Sequence, residues 1–200
     1  QVRFDMADKI LPSPEQLREF ISYDPLTGKL YWKHRNEKWF STYRSFVTWN
    51  AKHAGREALI SPDQKGYLKG SVLGVRVRAH RVAWAIYYGE WPDDQIDHKN
   101  LDVADNRISN LRQATQKQNS YNQRPKRSRS PLKGVTAVPD GKRKWRARIR
   151  VDGKEVSLGV FYTEEEAHLA YRGAAAKHRG GFSRLEYEQN YLEGPADEIQ

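Results

Sequence analysis

The chain has 200 residues, with 35 Lys and Arg against 25 Asp and Glu, a formal net charge of +10 and an isoelectric point near 9.7. That balance points to a polyanionic partner, and 38% hydrophobic residues allow small cores rather than one large one, so two small units are expected. The absence of cysteine excludes a disulfide framework and Cys-ligated zinc, and no stretch reads as a membrane span or a secretory leader, so a protein of the cytoplasm, neither membrane-spanning nor exported, is expected.

Met6, the only methionine, reads as a natural start with residues 1–5 a remnant ahead of it. Ser13 or Pro14 opens a helix predicted over 15–22, with Leu17, Phe20 and Ile21 on one face. Tyr23-Asp24-Pro25-Leu26-Thr27-Gly28 is a turn signal between two short strands, the second ending at Tyr31 and Trp32. Residues 33–50 interleave charge with Trp39, Phe40, Tyr43, Phe46 and Trp49 and show no clear period. A small core stitched by rings is preferred there to a DNA-contacting surface, because exposed aromatic patches are costly.

From Gly66, two strands are predicted over 67–72 and 75–78, then a helix over 80–88 stopped by Gly89. Val82, Ala83, Ile86 and Tyr87 recur at helical spacing and are expected to pack beneath the segment that follows. His80 and Arg81 begin this helix, where free N–H groups favour a phosphate, so both are candidate DNA contacts; for His80, simple packing weighs equally. His34, His53, His168 and His178 read as surface or packing residues.

Residues 96–122 hold most of the groups able to do chemistry. Asp97 and His98 sit side by side in a predicted short strand, so their side chains leave it on opposite faces and can do different jobs. Asn110 comes just before a second strand, predicted over 111–114. Thr115 then caps a helix running to about Asn122, with Asn119 one turn in. A hairpin closed by a helix would gather Asp97, His98, Asn110 and Asn119, a set suited to phosphodiester hydrolysis. Asp97 and the Asn119 amide oxygen can ligate one hard divalent cation, leaving positions for water and phosphate oxygens. His98 can take the proton from the attacking water, and Asn110 can hold the His98 loop or ring in register.

Together Asp97-His98, Asp105-Asn106-Arg107, Asn110-Leu111-Arg112, Thr115 and Asn119 resemble the HNH endonuclease family, in the His-Asn-Asn variant of phage and intron homing enzymes. The resemblance implies a ββα-metal finger over 95–122, with His98 as general base, Asp97 and Asn119 binding Mg²⁺ (Mn²⁺ being the alternative), and Asn110 in the central Asn role. Asn106 competes for that role, and Asn110 is preferred because Asn106 lies in the loop and can simply cap or turn it. The resemblance extends back to the Tyr23–Gly28 turn. Many relatives of this type carry a stabilising zinc ribbon, which a cysteine-free chain cannot form.

Residues 123–133 form a basic linker that includes Lys126, Arg127 and Arg129, expected to lie along the phosphate backbone or to act as a solvated tether. From Gly134, three antiparallel strands are predicted over 134–138, 144–151 and 154–161, with turns at Pro139-Asp140-Gly141 and Asp152-Gly153. A helix over 164–178 follows, capped by Thr163 with Glu166 at the capping-box position. On the middle strand Arg146, Arg148 and Arg150 alternate with apolar residues, so the arginines share one face. Gly134-Val135, Trp145, Leu158-Gly159-Val160-Phe161, Glu165-Glu166-Ala167 and Ala170-Tyr171 resemble the ethylene-response-factor (APETALA-type) DNA-binding domain, whose sheet lies in the major groove. Arg148 and Arg150 fall where that family contacts bases and backbone, and Lys144 and Trp145 join them as candidate DNA contacts. Ser157 stands where the plant domain usually has Trp, so its target sequence cannot be transferred. Residues 186–200 are an acidic tail.

The resulting expectation is an α+β chain: a ββα-metal HNH nuclease domain over 6–122, joined by the basic linker to a three-stranded antiparallel sheet plus helix DNA-binding domain over 134–185. Its expected function is a metal-dependent endonuclease that nicks double-stranded DNA as a monomer, with no obligate protein partner. The alternative is a DNA-binding regulator that retains the HNH scaffold without catalysis.

Overall fold

The computed structural model describes residues 11–122, 130, 132–139 and 144–182. The chain divides into two compact units, residues 1–114 and residues 115–200. Met6, Lys126, Arg127, Arg129, the turn residues Asp140 and Gly141 and the acidic tail lie outside the described residues.

In the first unit, α1 (Pro14–Phe20) starts on a capping box: Ser13 Oγ accepts from the Gln16 amide while the Gln16 side chain accepts from the Ser13 amide. It stops earlier than its apolar pattern predicts. Ile21 turns to extended geometry and opens β1 (Ile21–Tyr23), which pairs antiparallel with β2 (Leu30–Trp32). The aperiodic stretch contains an unpredicted helix, α2 (Tyr43–His53), capped by Thr42, which buries only Asn50. Its rings lean on one another: Trp49 meets Trp32 edge-on at 5.8 Å, Phe40 touches Phe46, and the Arg35 guanidinium lies 3.8 Å from the Trp49 ring centre. Tyr43 remains exposed.

β3 (Ser61–Pro62), β4 (Leu68–Val72) and β5 (Val75–Arg78) make an antiparallel sheet leading into α3 (Ala79–Tyr88), which Gly89 ends in the left-handed conformation at φ 83°. The main core gathers Leu17, Phe20, Ile21, Leu30, Val72, Val82 and Ala85. A smaller one joins Ala83 and Trp84 of α3 to Ile96 and Leu111, from the hairpin of β6 (Gln95–His98) and β7 (Leu111–Ala114). The helix face beneath this hairpin is therefore Ala83 and Trp84. Val82 and Ile86 pack in the main core, and Tyr87, expected inside, is half exposed.

In the second unit, α4 (Gln116–Asn122) is followed by β8 (Val135–Ala137), β9 (Trp145–Val151) and β10 (Lys154–Phe161), in the spatial order β10-β9-β8. Asp152 and Gly153, with φ of 46° and 81°, close the β9–β10 hairpin as a two-residue turn whose positive dihedrals suit the strand twist. α5 (Glu164–Arg179) opens on the Thr163–Glu166 capping box and lays Ala167, Tyr171 and Ala175 against Val135, Ala147 and Ile149. No helix among the described residues is long and apolar enough to cross a membrane.

Candidate active site

The β6–β7 register sets Asp97 opposite Arg112 and His98 opposite Leu111. Asp97 is 4% exposed, and a carboxylate so deeply buried requires a charged or hydrogen-bonding partner. Arg112 supplies it: its Nε and a terminal nitrogen reach Asp97 Oδ2 at 2.8 and 2.7 Å.

His98 is 3% exposed and has Asn106 Oδ1 3.2 Å from its Nε2. An amide oxygen only accepts, so Nε2 carries the hydrogen and Nδ1 is the basic nitrogen. Burial holds the imidazole below its ordinary value of 6.5, which keeps it neutral at pH 7. A second histidine stands beside it. The His80 ring lies 5.2 Å from that of His98, edge to face, and Tyr67 lies 5.3 and 5.8 Å from the two. Burial, and then the neighbouring His98, push His80 down to about 3, and its Nδ1 has no hydrogen-bond partner. His80 thus packs inside the unit instead of facing solvent at the helix start, the weaker fit to a phosphate contact. Arg81 donates to the carbonyls of Pro92 and Asp94 at 2.9 and 3.1 Å, tying down the segment that leads into β6.

The loop between the strands is held by two asparagines with different tasks. Asn110 Oδ1 accepts from the Asn100 amide at 3.0 Å, its Nδ2 donates to the Asp105 carbonyl at 2.8 Å, and its own carbonyl accepts from the Lys99 amide at 2.9 Å. It ties both ends of the loop but has no bond to the imidazole among these. Asn106 makes the ring contact. Next to it Arg107 grips Asp105 with two nitrogens, at 2.9 and 2.6 Å, and holds that carboxyl below the usual carboxylate range. Asn119 lies on α4 in the second unit, where Thr115 Oγ1 accepts from the Gln118 amide as the helix cap.

On β9, Arg146 and Arg150 are exposed and Arg148 partly so, all on one face, while Ala147 and Ile149 are buried on the other. Trp145 belongs to the buried side and packs on the Val135–Ala147–Ala167 core, because the alternation that turns the arginines outward turns it inward. Arg148 pairs with Glu155 at 3.0 Å, Arg150 donates to the Gly153 carbonyl at 2.9 Å, and Lys144 Nζ lies 5.6 Å from the Tyr162 ring centre.

Residues 77–121 match the model of the HNH endonuclease family. A solved structure of DNA binding and cleavage by the HNH homing endonuclease I-HmuI is similar at 24% identity and a TM-score of 0.34, over 52% of this chain and 51% of that one. The chain thus spans about half the length of that structure. No curated protein matches the chain significantly.

Proposed function

We propose that the protein is a metal-dependent endonuclease of the homing type that hydrolyses phosphodiester bonds in double-stranded DNA, with His98 as general base. One observation carries this reading. Within the segment that matches the HNH family, a buried neutral imidazole has one nitrogen set against the Asn106 amide oxygen, next in sequence to a buried carboxylate.

In this reading His98 Nδ1 accepts the proton of the attacking water, a task to which a positioned base typically contributes about 10²–10⁴-fold. Asn106 keeps the ring in the competent tautomer and Asn110 keeps the loop closed. Asp97 offers a hard oxygen for a divalent cation, Mg²⁺ or Mn²⁺, and Arg112 fixes the orientation of the Asp97 carboxylate. When bound, that ion would stabilise charge on the phosphate and on the leaving oxygen.

The second unit serves as the DNA anchor in this proposal, its arginine face lying on the duplex as in the ethylene-response-factor type of domain. Arg146, Arg148 and Arg150 make the contacts, with Lys144 beside them. The basic residues Lys126, Arg127 and Arg129 add salt-dependent affinity. With one His98 per chain, a monomer nicks one strand. The test is nicking of supercoiled plasmid in Mg²⁺ by the wild-type chain, with a chelator control. Linear product formed at the rate of the first nick would contradict the single-strand mechanism, and persistence of nicking in chelator would contradict the metal.

A further inference from the structure

We infer that the amino-terminal hairpin turn Tyr23–Gly28 is a positioning element of the reaction, because it grips the backbone of Asn106, the residue that sets the His98 ring. The inference rests on the reading of His98 as base. Although 83 residues away in sequence, Tyr23 donates its hydroxyl hydrogen to the Asn106 carbonyl at 2.7 Å. Pro25 offers its carbonyl to the Ile108 amide at 3.2 Å. Between these two bonds Gly28 presses on the same peptide. A Cβ placed on Gly28 would lie 2.6 Å from the Asn106 carbonyl carbon and closer still to the Arg107 nitrogen, and the residue sits at φ 76°, where a side chain is strained in any case.

The turn is itself firmly built. Asp24 Oδ1 accepts from the Leu26 amide at 2.9 Å, Asp24 Oδ2 from the Thr27 hydroxyl at 2.7 Å, and the Asp24 carbonyl from the Gly28 amide at 2.8 Å. Hydrogen bonding to Thr27 holds the Asp24 carboxyl below its ordinary value, so the turn is closed by a charged acceptor at neutral pH. Leu26, whose side chain takes no part, is 84% exposed. Tyr, Asp, Pro, Thr and Gly of the motif each have a task, and the product is a fixed Asn106 backbone. The Asn106 side chain then has one direction in which to meet Nε2 of His98. Displacing that backbone lets the ring adopt the other tautomer, with Nδ1 protonated and unable to accept.

Two variants test this. Gly28→Ala forces the Asn106–Arg107 peptide away, and Tyr23→Phe removes a single hydrogen bond while leaving the turn intact, so at least the second is expected to fold. Both are measured for nicking rate at saturating DNA, for DNA affinity and for the His98 ring tautomer by nitrogen NMR of the full-length chain. Expected are a fall in turnover of about 10- to 100-fold for Gly28→Ala and a smaller fall for Tyr23→Phe, since a misplacement of about 1 Å costs on that scale. DNA affinity should stay within about twofold, and the His98 ring should lose its uniform Nε2–H signature. Turnover within about twofold of wild type in a folded variant of each kind would overturn the inference. Should the wild type nick no DNA, it is the base reading that fails, and the ring spectrum still decides the hairpin: an unmoved His98 signature in both variants overturns the positioning role, and a shifted one supports it.

Discussion

β6 and β9 both set charged or polar residues beside apolar ones, and they use them in opposite ways. On β6, Asp97 and His98 are buried, and each is held by a partner from across the hairpin or its loop, Arg112 for the first and Asn106 for the second. On β9, the arginines stand at the surface with one exposed ion pair and one backbone bond. Buried groups must have their geometry fixed or they cost too much to keep. Exposed arginines gain little from surface partners and can exchange them for phosphates. The first arrangement suits a reacting centre, the second a docking face.

The largest effect should come from breaking the buried pair. Arg112→Met leaves Asp97 buried without its guanidinium and is expected to destabilise the first unit by about 3–5 kcal/mol in urea unfolding. The double variant Asp97→Leu/Arg112→Met should recover most of that stability. A loss under about 1 kcal/mol in the single variant would mean that the pair is not a fixed one.

Acid should act on the same side of the comparison. His80 has a folded value of about 3 against 6.5 unfolded, so between these the unfolded state binds one more proton. The stability it contributes is fully present above pH 6.5 and is lost as pH falls from there toward 3, at about 1.4 kcal/mol per pH unit for one group. His98, also lowered, acts in the same sense. Urea unfolding between pH 7 and pH 5, on the order of that slope for wild type, should flatten in His80→Phe; an unchanged slope would show that His80 titrates normally.

On the docking side the effects should be smaller. Arg148→Ala should weaken DNA binding by about 1–3 kcal/mol if it reads a base, at one position only. Equal loss on all sequences, with a salt dependence shallower by about one ion, would mark a phosphate contact. Glu155→Gln should change stability by less than about 1 kcal/mol, since the pair is exposed, and should tighten DNA binding by freeing Arg148 from a competing carboxylate. Weaker binding in this variant would mean that Glu155 orients the arginine.

Much of this was legible where the signal is local. The Thr163–Glu166 capping box, the Gly89 stop, the Asp152-Gly153 turn and the arginine alternation on β9 all depend on neighbours in sequence, and they appear where their spacing predicts. The α2 helix was not legible, because its rings pack on residues outside the helix and leave no apolar stripe of period 3.6. In the candidate site, Asp97, His98 and the loop-tying role of Asn110 could be anticipated. Asn106 competes with Asn110 for the central role in the sequence and stands second there, since its loop position also fits a turn former and its ring contact depends on a hairpin held 83 residues away. Tyr87 was expected inside because helical spacing gives a stripe but not the angle at which a neighbouring hairpin crosses it.

The proposed function makes His98 the general base of a nuclease. Its most direct test is nicking of supercoiled plasmid by wild type and by His98→Ala in Mg²⁺, with DNA affinity measured in parallel. Loss of the base should lower nicking by about 10²-fold or more at unchanged affinity. Equal nicking by the two proteins would contradict it.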